Sequence, residues 1–177
     1  MLLDIQIAKN AQGKLIHFEL DVPMDNKLIE DRGYAFTSSC KLIGDMVYEF
    51  ESLKIVAKAS VSFKANCDMC GDDLTRTLDF DVNETFANSN SEDSNYYEIG
   101  STSVDVMPML VDNFFEYLPS RIVCKDDCKG LCDMCGRNLN YHSCNCEEIK
   151  QELDNQDNPF YKLKYIRGID KDGSSKD

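Results

Sequence analysis

Six of the chain's nine cysteines fall within the 23 residues from Cys124 to Cys146. Cys132 and Cys135 are spaced C-x2-C, eight residues intervene, and Cys144 and Cys146 make C-x-C. Two close pairs across a short loop suit tetrahedral zinc, because each pair offers two thiolates to one ion and the loop brings the pairs together. A second C-x2-C, Cys67 and Cys70, lies upstream. Residues 67–71 and 132–136 are the same pentapeptide, Cys-Asp-Met-Cys-Gly. The glycine after each pair lets the chain fold back sharply with a positive φ.

Cys124 and Cys128 make a fourth close pair. Four pairs combine into two four-thiolate sites in three ways. The first choice joins Cys132/Cys135 to Cys144/Cys146, and Cys67/Cys70 to Cys124/Cys128. The first grouping closes a short loop at little entropic cost. The second is long-range, so its metal-binding energy becomes folding energy. The alternative joins the two pentapeptides and leaves Cys124/Cys128 for Cys144/Cys146. Two zinc ions are the expected cofactors. An iron–sulfur cluster would take the same thiolates, so it stands as the alternative metal. Lys125, Lys129 and Arg137 lie near enough in sequence to offset the charge of a thiolate-bound zinc. Cys40 has no nearby cysteine and reads as a small buried hydrophobe.

Catalysis is not expected. A catalytic zinc keeps an open position and usually a His or carboxylate ligand, and the chain has only His17 and His142. His142 could replace a thiolate, but Cys144 and Cys146 make it unnecessary. No Gly-rich phosphate loop, nucleophile elbow or Ser/His/Asp set is present, so no small-molecule substrate is expected. The pair Cys67/Cys70 alone also reads as a thiol redox motif, which expects a helix directly after it. Here Leu74 to Val82 alternates like a strand instead.

The formal net charge of the 177 residues is −13, which disfavours unaided phosphate binding. An acidic chain suits a basic partner, or RNA touched through a local patch. Arg121, Lys125, Lys129 and Arg137 are the candidates for such a patch. Ten acidic residues and one basic residue, Arg76, lie between Asp68 and Asp105; the simpler reading of that run is a solvated face. The opening Met1-Leu2-Leu3-Asp4 carries no basic and apolar leader pattern, and no apolar run is long enough to span a membrane. A reducing, cytoplasmic location is expected, where nine cysteines favour metal over disulfides.

The elements that must position these thiols are mostly strands. Leu3 to Ile7 and Leu15 to Leu20, around a turn at Asn10 to Gly13, predict a hairpin. Pro23 to Gly33 is a charged connector with at most a short helical turn. Met46 to Phe50 and Lys54 to Phe63 are rich in β-branched and aromatic residues. With Leu74 to Val82 they predict a two-strand unit flanking the first knuckle. Asn83 to Ser103 is polar and reads as a mobile loop. Val104 to Leu118 has helical apolar spacing, with Pro108 in the first turn and Pro119 as the stop. Beyond Cys146, residues 147–153 form a weak helical piece. Pro159 to Ile166 is aromatic and basic, and residues 168–177 read as disordered.

These residues resemble the YceD family. The resemblance rests on Leu118-Pro119, Cys124, Cys128-Lys129-Gly130-Leu131-Cys132, Cys135-Gly136 and Asn138-Leu139-Asn140. Cys67-Asp68-Met69-Cys70 and Asn158-Pro159-Phe160-Tyr161-Lys162-Leu163 extend it over roughly residues 1–166. The common family form has Pro after the first cysteine of the second knuckle, where Asp133 stands here. The resemblance implies a bacterial cytoplasmic factor in ribosome biogenesis, linked to accumulation of large-subunit ribosomal RNA and not an enzyme. It implies a small basic large-subunit ribosomal protein or precursor ribosomal RNA as partner. A redox or metal-handling protein is the alternative function.

The expected architecture is α+β: an antiparallel β-sheet or open barrel, one covering helix, and a C-terminal Cys-rich, zinc-ribbon-like module. The expected divisions are a β-rich domain with its helix over 1–120, a zinc-binding module over 121–148, and a helical segment with a disordered tail over 149–177.

Overall fold

The computed structural model describes residues 1–87, 96–148 and 150. Two compact units are formed, Met1–Asp126 and Asp127–Asp177. The first is α+β. It runs β1 (Leu2–Asp4), α1 (Gln6–Asn10), β2 (Ile16–Val22), β3 (Ala35–Phe36) and β4 (Cys40–Glu49). It continues with β5 (Ser52–Asn66), β6 (Asp73–Ala87), β7 (Tyr97–Glu98), β8 (Ser103–Asp105) and α2 (Met107–Tyr117). The main sheet has the order β2-β4-β5-β6-β7, with β3 pairing β5 off that path. All its pairings are antiparallel except the short parallel one between β6 and β7.

The strand pattern of β5 decides where the first knuckle lands. Leu53, Ile55, Ala57, Ala59, Val61, Phe63 and Ala65 are all buried, while the residues between them face outward. Successive strand side chains point to opposite faces, so Cys67 continues the buried row, at 3% exposure. The strand then ends, and β6 returns alongside β5 from Asn66 opposite Asp73 to Leu53 opposite Phe86. The first Cys-Asp-Met-Cys-Gly is thus the loop of a long hairpin. At the far end, β4 meets β5 through Phe50 and Glu51, both with positive φ (48° and 60°). Two left-handed residues make the tight turn whose twist matches the flanking strands.

Helix α2 buries Met109, Leu110, Asn113 and Phe114. Phe114 stands edge-on to Phe36 and Phe63, with ring centroids 5.0 and 5.1 Å apart, a geometry aromatic quadrupoles favour. Asn113 is the one buried polar residue among those described. It donates to Glu84 Oε1 at 2.9 Å and to Met109 O at 3.0 Å. Asp105 accepts from the Met107 N–H at 3.1 Å ahead of the first turn. The chain leaves α2 through Pro119 and runs back to Cys124.

Three sequence expectations need correction. The N-terminal hairpin does not form: β1 pairs with β8, and residues from Gln6 to Asn10 are helical. Ile5 and Ala8, three apart, are both fully buried, which a helical turn satisfies and a continued strand does not. The polar stretch from Asn83 is not all loop, since β6 runs to Ala87, β7 lies within the rest and β8 starts at its last residue, Ser103. The segment 88–95 lies outside the described residues. The helix begins at Met107 because residues 103–105 are taken by β8. The connector does carry short turns, of 3-10 type, at Asn26–Leu28 and Glu30–Arg32. The expected helical piece 147–153 lies mostly outside the described residues, and the aromatic-basic segment and the tail lie wholly outside them.

In the second unit, Leu131 and Asn138 form an antiparallel bridge around the second pentapeptide. The Leu139 N–H donates to Gly130 O at 2.9 Å, closing the same small ladder.

Candidate metal centres

The two pentapeptides fold alike. In the first, the Gly71 N–H donates to Cys67 O at 2.9 Å and the Cys67 N–H to Asp72 O at 2.8 Å. In the second, the Gly136 N–H donates to Cys132 O and the Cys132 N–H to Arg137 O, both at 2.8 Å. Gly71 and Gly136 have φ of 75° and 67°, as the sharp reversal requires. This conformation aims backbone N–H groups at the first thiol. Burial acts upward on Cys67, but N–H donors from Cys70, Cys124 and Met69 outweigh it and bring the thiol down to about 6. The N–H groups of Cys135 and Met134, then the Cys144 thiol, bring Cys132 down to about 7. Hydrogen bonds to the charged form favour it, and the thiolate is the metal-binding form.

In the first unit, the thiols of Cys67, Cys70 and Cys124 lie within 4.8 Å of one another. Cys70 Sγ stands 3.7 Å from Cys124 Sγ. Zinc–sulfur bonds of about 2.3 Å in a tetrahedron place sulfurs about 3.8 Å apart, so this separation fits ligands of a common ion. The segment carrying Cys124 is held against the knuckle by several bonds. The Asp68 N–H donates to Ile122 O at 2.8 Å, and the Ile122 N–H donates to Asp68 Oδ2 at 2.5 Å. The Cys124 N–H donates to Cys67 Sγ at 3.3 Å. Arg76 donates through Nη2 to Val123 O at 2.7 Å and Cys124 O at 3.2 Å. Ile122, at 5% exposure, anchors the segment in the core.

In the second unit, Cys132, Cys135, Cys144 and Cys146 gather their sulfurs within 4.8 Å. This is the local grouping expected from spacing, so the second pentapeptide's thiols are already engaged with Cys144 and Cys146. The cluster shares charge unevenly. Cys146 is pushed up to about 12, first by the Cys135 thiol and then by burial and the Cys144 and Cys132 thiols. Four thiols at this separation suit a divalent cation with soft-ligand preference. His142 stays outside the gathered set. Arg137 donates through Nη1 to Ser143 O at 3.2 Å.

Cys128 follows Cys124 by four residues and accepts from Asn140 Nδ2 at 3.3 Å. Asn140 Oδ1 also accepts from the Lys129 N–H at 3.0 Å, and Asn138 Oδ1 accepts from the Asn140 N–H at 3.0 Å. The Asn-Leu-Asn motif thus has a local structural task that spacing did not reveal. Asp68 and Arg76 were equally missed: both read as parts of an acidic face. Arg121, Lys125, Lys129 and Arg137 are all exposed. Arg121 shares a shallow recess with Arg76, Phe63, Leu78 and Ile122. Cys40 is fully buried, as expected, and none of the nine cysteines is disulfide-bonded.

Fold and thiols together define a class: a small α+β protein whose cysteines are gathered on hairpin knuckles able to hold metal, with no helix among the described residues long and apolar enough to cross a membrane. The family described as large ribosomal RNA subunit accumulation protein YceD matches residues 55–167. The chain belongs to the YceD family. The match begins inside β5 and contains all eight clustered or paired cysteines. Neither curated proteins nor solved structures give a match.

Proposed function

We propose that the chain is a non-catalytic zinc-binding factor in large ribosomal subunit biogenesis. The family match over residues 55–167 carries this reading, since the family's description concerns large-subunit ribosomal RNA and the matched stretch holds every candidate ligand. Two zinc ions are bound. Cys132, Cys135, Cys144 and Cys146 hold one. Cys67, Cys70 and Cys124 hold the other with Cys128, whose C-x3-C spacing from Cys124 suits a zinc knuckle. Full thiolate sets leave no open coordination position, so zinc acts by stabilising structure. The factor works in the cytoplasm on a basic large-subunit ribosomal protein or precursor ribosomal RNA. The net charge of −13 favours the basic protein as the main client. Arg121, Lys125 and Lys129, with the outward donors of Arg137, supply any RNA contact.

The test is gradient sedimentation of a lysate, probing for this protein. Co-migration with immature large-subunit particles, lost at raised salt, is the expected result. Migration only as free protein at low salt overturns particle binding. The alternative, a redox or metal-handling protein, draws on the low Cys67 and Cys132 thiols. It predicts reversible zinc release by dilute peroxide, against the retention expected here.

A further inference from the structure

Both thiol clusters have an arginine in the same relation to their third cysteine. Arg76 donates to the carbonyl of Val123, the residue directly before Cys124. Arg137 donates to the carbonyl of Ser143, the residue directly before Cys144. The two arginines do not occupy the same place relative to the repeated pentapeptide: Arg76 comes six residues after Cys70, Arg137 two after Cys135. The shared contact therefore does not follow from the repeat. It has been reached from two different chain positions. Arg76 is also the one basic residue between Asp68 and Asp105.

We propose that Arg76 and Arg137 are matched positioning residues, each pinning the carbonyl ahead of the third thiol so that this thiol stands ready beside its pentapeptide. The inference rests on the metal reading above. In each site the first two thiols are fixed by the pentapeptide itself, whereas the third arrives on a separate segment. A guanidinium bonded to a carbonyl is a charge-assisted contact, and its planar group is pre-organised, so little freedom is lost for each bond formed. Arg76 spans two consecutive carbonyls, Val123 and Cys124, from its Nη2. A permanently charged group one peptide from a ligand also offsets the net negative charge of a divalent ion among thiolates. Groups that orient ligands from outside the coordination shell are worth about 10–100-fold in metal affinity.

The test uses the full chain with Arg76→Gln, Arg76→Lys, Arg137→Gln and Arg137→Lys. Zinc affinity is read by competition with a chromophoric chelator, and cobalt(II) spectra report each site. Arg76→Gln is expected to loosen one ion by about 10–100-fold and leave the other unchanged. Arg137→Gln is expected to loosen the other ion by a similar factor. The Lys variants keep the charge and lose the planar, pre-organised guanidinium, and recover only part of the affinity. Unchanged affinity for both ions in both Gln variants overturns the proposal. So does a lower melting point of the metal-free protein with unchanged metal affinity, which marks a purely structural role. Should Arg76→Gln fail to fold, Arg137→Gln carries the test alone. A wild-type chain that binds no zinc overturns the metal reading; a wild-type chain that binds two ions beside unaffected variants overturns only the arginine assignment.

Discussion

Cys70 and Cys124 are 54 positions apart in the sequence, yet their sulfurs stand 3.7 Å apart. One lies in the loop of the β5–β6 hairpin and the other on the segment that returns from α2. A metal held there links the sheet to the far end of the helix, so losing either thiol should have the same consequence. Cys70→Ser and Cys124→Ser are each expected to lose one zinc ion per chain and to melt earlier. The double variant should be no worse than either single, because residues serving one ion are not additive. Elemental analysis and thermal melts read this. Two additive losses would mean the thiols serve different purposes.

The second cluster is local. Replacing Cys132 and Cys135 with Ser should remove about one zinc ion per chain, as four thiolates serve one tetrahedral ion. The sheet and α2 should keep their circular dichroism and melting behaviour, since no described residue of the first unit supplies a ligand to this set. Unchanged zinc content would overturn the grouping.

Gly71 and Gly136 have left-handed backbone with open space where a side chain would go. Substitution there costs conformational energy alone. Gly71→Ala and Gly136→Ala are each expected to cost about 1–2 kcal/mol, and Asn at either position clearly less. Denaturant unfolding of the zinc-loaded protein measures both. Equal costs for Ala and Asn would show that something other than φ is at stake.

Cys40 offers a pH prediction. Burial pushes its thiol up to about 11, with Asp21 adding to the rise and a Ser60 backbone bond partly opposing it. The fold therefore holds this proton more tightly than the unfolded chain does. The resulting stabilisation is whole below the ordinary value of 9.0 and is lost as pH climbs toward 11. Wild-type melting temperature should fall over that window more steeply than that of Cys40→Ala. At pH 8 an alkylating reagent should modify Cys40 only after denaturant is added, even when a chelator has freed the other eight.

How much of this was legible beforehand follows from the range of each interaction. The repeated pentapeptide, its glycine and the strands on either side are local, and their pattern shows in consecutive residues. The buried row from Leu53 to Ala65 even fixes the side on which Cys67 emerges. The N-terminal segment was misread because its strand partner, Ser103–Asp105, lies about a hundred residues away, where alternation over five residues carries no information. Arg76 and Asp68 were unreadable for a related reason. Their types match an acidic, solvated face, and only the return of Ile122 to Cys124 gives them partners. Asn140 sat inside a recognisable motif, yet its bond to the Cys128 sulfur depends on a turn that composition does not encode.

The pairing of β1 with β8 also bears on synthesis. Once made, the strand Leu2–Asp4 has nothing to pair with until residue 105 has been made. The same holds for Cys67 and Cys70, which wait for Cys124. Such late closure of long-range contacts slows folding and leaves unpaired edges exposed meanwhile. A chain stalled before residue 103 would thus present a lone edge, and two thiols without the third that stands beside them in the folded protein.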